Sequence, residues 1–171
     1  MNFDSEIIHY HNQHDGVTIS SQANVFCFRL FEHETFVHIP MGLIFPFFAK
    51  FRIFRRLFRL CNSAAWPLFT SDGEFDRAII IYRYRIYVYK DGKVSEVFRL
   101  ANTRVIMPGS HAVTKSGHIY VGAYCSNRSR QEPVCIYRST DRGDTWSIVH
   151  QFPIGSIKHI HSINWDCYDS S

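Results

Sequence analysis

The chain has 171 residues, 46% of them hydrophobic and 20% charged, with a formal net charge of +4. That is enough for one ordinary domain with its own core, too little for two large ones, and it excludes wholesale disorder. Aromatic residues reach 16%, mostly Phe and Tyr, which favours β structure with broad flat contacts, and the positive charge is concentrated in one segment rather than spread as a basic surface.

In chain order, the start reads MNFDSEIIHYHNQHDG. It lacks a basic stretch followed by an apolar run, so no secretory leader is expected and a cytoplasmic location is the default. His9, His11 and His14 are read first as part of a solvated, poorly ordered start and second as weak metal ligands. The apolar run from Met41 to Ala49 is far shorter than the ~20 residues that cross a bilayer.

The segment from Phe47 to Leu60, FFAKFRIFRRLFRL, places Arg52, Arg55, Arg56 and Arg59 on one helical face and Ile53, Phe54, Leu57 and Phe58 on the other. The pattern predicts a basic amphipathic helix, begun near Pro46 and ended near Asn62 and Ser63. Packing of its apolar face against the rest of the chain, or against a partner, is the first reading. Contact with an anionic membrane surface is the second. Nucleic acid is not expected, because no base-reading module accompanies the arginines.

From about residue 63 onward the pattern is all-β. Ile79 to Tyr82 and Ile86 to Tyr89 are apolar runs, and Lys90-Asp91-Gly92-Lys93 signals a tight turn before Val94 to Leu100. His111 to Thr114, Lys115-Ser116-Gly117 and His118 to Tyr124 predict a second hairpin. Val134 to Arg138, STDRGDTW and Ser147 to Phe152 predict a third. Ile86 with Ile136, Asp91 with Asp141, and His111 with His161 are separated by one common interval. A period of about 50 residues with four strands per unit is the requirement of a β-propeller blade.

Ser139, Asp141, Gly143, Thr145 and Trp146 fill every defined position of the pattern Ser-x-Asp-x-Gly-x-Thr-Trp. The chain therefore resembles Asp-box (bacterial neuraminidase repeat) β-propeller proteins of the sialidase-like superfamily. The resemblance implies a partial propeller of about two four-stranded blades over residues 63–171, preceded by an N-terminal region (1–62) carrying the helix near 47–60. It also implies that the Asp-box is a structural turn between the third and fourth strands of a blade, and that the equivalent turn at Asp91 is degenerate.

Sialidase-type chemistry, by the same resemblance, takes three arginines, a Tyr with a Glu partner and an acidic residue. The Arg-Ile-Pro signature is absent: the nearest strings are Val37-His38-Ile39-Pro40 and Phe51-Arg52-Ile53-Phe54. No catalytic residue and no cofactor is assigned. Propellers close with roughly four to eight blades, so two blades imply self-association or missing blades, and an isolated chain that is oligomeric or poorly folded.

His159 and His161 fall on one face of an extended segment, and His111 holds the repeat-equivalent position of His161. The three are a candidate axial site, read first as polar lining and second as ligands of a metal or an anionic sugar. The five cysteines include no CxxC pair, so no metal site is assigned on that ground. Cys125 and Cys135 flank a hairpin loop and are read as buried thiols before they are read as a disulfide. Asn127-Arg128-Ser129 fits a glycosylation sequon. The leading functional expectation is a non-catalytic or incomplete Asp-box propeller that binds glycans. The alternatives are the N-terminal part of a sialidase-like glycoside hydrolase and a peripheral membrane-associated scaffold.

Overall fold

A computed structural model describes residues 7–40, 63–103, 105–125, 127–166 and 168. Twelve strands form three four-stranded antiparallel sheets, ordered β1-β2-β3-β4, β5-β6-β7-β8 and β12-β11-β10-β9. Each sheet is thus a meander in which every strand pairs with its neighbour in sequence, an arrangement that short turns alone can connect. The described residues include no helix, and the expected helix at 47–60, with Arg52, Arg55, Arg56 and Arg59, lies outside them. Two compact units divide the chain: Met1–Tyr82 with Tyr87–Ser95, and Arg83–Ile86 with Glu96–Ser171.

The first sheet comprises β1 (Ile7–Asn12), β2 (Val17–Gln22), β3 (Val25–Leu30) and β4 (His33–His38). Val17, Ile19, Phe26 and Phe28 supply its core side, together with Ala65, Ala78, Ile80, Tyr82, Tyr87 and Tyr89 of the first unit. Phe28 stacks on Tyr89 at 4.1 Å between ring centroids, and Phe26 meets Tyr82 edge-on at 6.4 Å. These aromatic pairs are where the high Phe and Tyr content is used. Asn24 closes the end of this sheet by donating Nδ2 to the Ile39 carbonyl at 2.8 Å and accepting the Ile39 N–H at 2.9 Å.

The second sheet comprises β5 (Ser63–Phe69), β6 (Phe75–Tyr82), β7 (Arg85–Lys90) and β8 (Lys93–Arg99). Successive residues of a strand face opposite sides, yet Ala78, Ile79, Ile80 and Ile81 are all fully buried. Strand β6 is therefore covered on both faces, which explains its continuous apolar run. Pro67 sits inside β5 opposite Ala78. It is tolerated because β5 is an edge strand, where the absent N–H leaves no ladder bond unmade.

The third sheet comprises β9 (His111–Val113), β10 (Ile119–Gly122), β11 (Val134–Ser139) and β12 (Ser147–Phe152). Ile119, Val121, Val134 and Tyr137 are buried, whereas β12 is exposed along most of its length. The exposed strand is the fourth in each sheet, and the middle strands carry the core.

The all-β expectation and the hairpins predicted after residue 78 agree with the strands. Two expectations are corrected. There are three four-stranded sheets rather than about two, because residues 7–38 form a complete meander of their own. His9 and His11 belong to β1 instead of a solvated start: His9 donates or accepts at Ser21 Oγ across 2.8 Å and stacks on Phe26 at 5.7 Å.

Candidate functional site

The segment from Ser139 to Trp146 is the hairpin between β11 and β12, the third and fourth strands of its sheet. Ser139 is buried at the end of β11. Its hydroxyl donates to Asp141 Oδ1 at 2.8 Å and accepts the Gly143 N–H at 2.8 Å. Asp141 then accepts the Thr145 N–H at 2.9 Å on Oδ1 and the Thr145 hydroxyl on Oδ2. Arg142 and Gly143 take positive φ, 61° and 98°, and the second of these is far easier for glycine than for a residue with a Cβ. Trp146 lies buried and donates Nε1–H to the Gly143 carbonyl at 2.9 Å.

Partial burial works to raise the Asp141 pKa, but hydrogen bonds from the Thr145 hydroxyl and N–H, the Ser139 hydroxyl and its own N–H prevail and bring it down to about 2. A carboxylate held ionised by donors of its own turn is equipped to hold that turn. It is poorly equipped to donate a proton near neutral pH.

Of the three candidate histidines, the fold brings two together. His159 Nε2 and His161 Nε2 stand 2.8 Å apart, and Tyr124 packs on His159 with centroids 4.5 Å apart. Burial lowers the His159 pKa, aided by the positive charge of its neighbours His161 and Lys158. His111 opens β9 with a half-buried ring whose pKa burial lowers. It does not complete a cluster with the other two: among the described residues no group of three His, Cys, Asp or Glu side chains is placed to hold a metal ion.

A cleft that the sequence did not announce lies in the second unit. It has a volume of about 520 Å³ and is lined by Tyr84, Arg99, Leu100, Ala101 and Asn102. Its backbone is fixed from several sides. The Leu100 N–H donates to the Tyr84 carbonyl at 2.7 Å, and Tyr137 Oη accepts the Ala101 N–H at 3.1 Å while donating to the Ala101 carbonyl at 3.2 Å. Asn102 donates Nδ2 to Glu132 at 2.6 Å. Arg83, Tyr84 and Asn102 hold φ of 48°, 70° and 52°, an unfavourable conformation for side-chain-bearing residues and a mark of imposed geometry. Tyr84 remains 41% exposed. Arg85 is ion-paired with Glu96 at 3.3 Å, whereas Arg99 makes no ion pair among the described residues. In the sequence Arg83 and Tyr84 simply lie between the apolar runs ending at Tyr82 and starting at Ile86, with no Gly, Asn or Asp to mark the turn they form.

Cys125 and Cys135 are buried and are not bridged to each other. Asn127 is buried and spans its loop, donating to the Glu132 carbonyl at 2.7 Å and accepting the Glu132 N–H at 3.1 Å. Both ends of its amide are thereby committed, and glycosylation of the sequon would break the loop. No helix among the described residues is long and apolar enough to cross a membrane.

Compared with known proteins, the chain matches no family model, and no curated protein matches it either.

Proposed function

We propose that the chain is a non-catalytic Asp-box propeller segment, its three sheets being consecutive blades, and that its task is to bind glycans. The meander order of each sheet, the exposed fourth strands and the double-sided burial of β6 support the blade reading. The Asp-box itself supports a structural role, since the polar groups of Ser139, Asp141 and Thr145 are taken up by hydrogen bonds within the turn.

The cleft at Tyr84, Arg99 and Asn102 carries the binding reading. An exposed phenol ring offers an apolar face to a sugar ring, a guanidinium matches a carboxylate with two parallel hydrogen bonds, and Asn102 Oδ1 can accept from a hydroxyl. Few polar groups on a fixed backbone are the usual build of a small-ligand site.

Calorimetric titration of the chain with a sialylated oligosaccharide and with its neutral counterpart tests this. The acidic glycan is expected to bind more tightly. Tyr84→Asn, which removes the ring while suiting positive φ, should weaken both by about three- to tenfold, and Arg99→Ala should abolish the preference for the acidic form. Absence of binding, or binding that both variants leave unchanged, would refute the proposal.

A further inference from the structure

Beyond the glycan reading and independent of it, we propose that His159 and His161 form an open two-imidazole site for a divalent transition-metal cation of the copper or nickel class. Ligands bound at about 2.0–2.1 Å lie about 2.8–3.0 Å apart when cis at right angles, and about 3.3–3.4 Å apart at the tetrahedral angle. The two Nε2 atoms stand 2.8 Å apart, which matches the right-angled arrangement that tetragonal copper(II) and nickel(II) adopt.

The pair is held in place rather than merely close. The Ile160 N–H donates to the Ala123 carbonyl at 3.0 Å, and Ser110 Oγ donates to the Ile160 carbonyl at 3.4 Å. Two residues back from Ile160, Cys125 Sγ contacts the Lys158 carbonyl at 3.5 Å. Ile160 presses on Gly122 so closely that a Cβ there would lie 2.6 Å from its Cγ2. Ile160 faces Gly122, and the flanking rings of His159 and His161 meet each other. Tyr124 buttresses both rings, at 4.5 and 6.2 Å, and His161 is exposed.

In the neutral pair one Nε2–H donates to the other Nε2 lone pair. Metal binding requires a lone pair on both. The proton therefore leaves the donor Nε2 and that ring is protonated at Nδ1 instead, so the neutral pair releases no net proton. Two protein ligands leave the remaining positions to water or to oxygen atoms of a ligand, while the nearby Lys158 ammonium limits affinity.

Titration of the full chain with copper(II) or nickel(II) salts, followed by calorimetry and by electron paramagnetic resonance of the copper form, tests the site. One cation per chain with two equatorial nitrogens is expected, with affinity lowered at least tenfold in His159→Ala and in His161→Ala but not in His11→Ala. Equal affinity in all four proteins, or loss in His11→Ala alone, overturns the site. If either variant fails to fold, paramagnetic broadening of the unaltered chain decides: it should centre on Tyr124, His159 and His161, and broadening centred elsewhere refutes the proposal.

Discussion

The hydroxyl of Ser139 donates to Oδ1 of Asp141 across 2.8 Å, two residues along the same turn, while that hydroxyl accepts the Gly143 N–H and that carboxylate accepts from Thr145. The two side chains therefore act as one unit. Hydrogen bonds to an ionised acceptor contribute about 1.5–3 kcal/mol each, so Ser139→Ala and Asp141→Ala should each lower unfolding free energy by about 1–3 kcal/mol. The double variant should cost less than the sum, with a coupling of about 0.5–3 kcal/mol. Chemical denaturation of the four proteins measures it, and strict additivity would contradict the shared network.

The same carboxylate gives an acid-side signature. Its folded pKa lies below the ordinary 3.8, so its contribution is fully present above that value and disappears as pH falls toward 2. Asp141→Asn should flatten the stability profile in that window alone.

Tyr137 tests the backbone support of the cleft at Ala101. Burial, the foremost cause, pushes its hydroxyl pKa up to about 12, and the neutral phenol both donates to and accepts from Ala101. Tyr137→Phe keeps the ring against Phe98, 5.8 Å away, but strips two backbone groups of their partner. A loss of about 1–2 kcal/mol is expected, with glycan affinity reduced more than by a surface change of equal stability cost. Retention of wild-type affinity in this variant would show that ligand binding does not depend on the Tyr137 bonds to Ala101.

His9 predicts a second pH effect of different origin. Burial lowers its pKa from 6.5 to about 4, and its Nε2 lies 2.8 Å from Ser21 Oγ and 3.2 Å from Ser63 Oγ. The unfolded chain takes up a proton below pH 6.5 while the folded chain does not, so stability falls as pH drops from 6.5 toward 4, by about 2–3 kcal/mol in all. Thermal unfolding across that range should show the decline in the unaltered chain and a shallower one in His9→Gln.

Much of the second half was legible because its strands are apolar and its turns carry Gly: β7, β8, β11 and β12 fall where the alternation and the Asp-Gly and Arg-Gly turns put them. The first sheet was not. In β2 the buried residues include Ser20 and Ser21, whose polarity hides them from a hydrophobic pattern and whose partner His9 lies on another strand. In β5 Pro67 speaks against a strand until its edge position is known. The residues of the 139–146 turn could be named because their bonds span no more than four positions. The cleft could not, because Tyr84 meets Leu100 and Ala101 meets Tyr137 only through the fold.

Gly122 ties the strand framework to the histidine segment. Its hydrogen occupies space where a Cβ would lie 2.6 Å from both Ser110 Oγ and Ile160 Cγ2. Gly122→Ala should cost about 1–3 kcal/mol by overpacking and speed amide hydrogen exchange at Ile160, whose N–H bonds to Ala123. Unchanged exchange there would mean that the segment is not held by this contact.

The most direct measurement is two-dimensional amide NMR of the chain titrated with a sialylated oligosaccharide, with the same samples assayed for released sugar. Saturable shifts are expected at Tyr84 and Arg99 to Asn102, none within residues 139–146, and no hydrolysis. Shifts centred on the Asp-box turn, release of free sugar, or no shift at any concentration would contradict the proposed function.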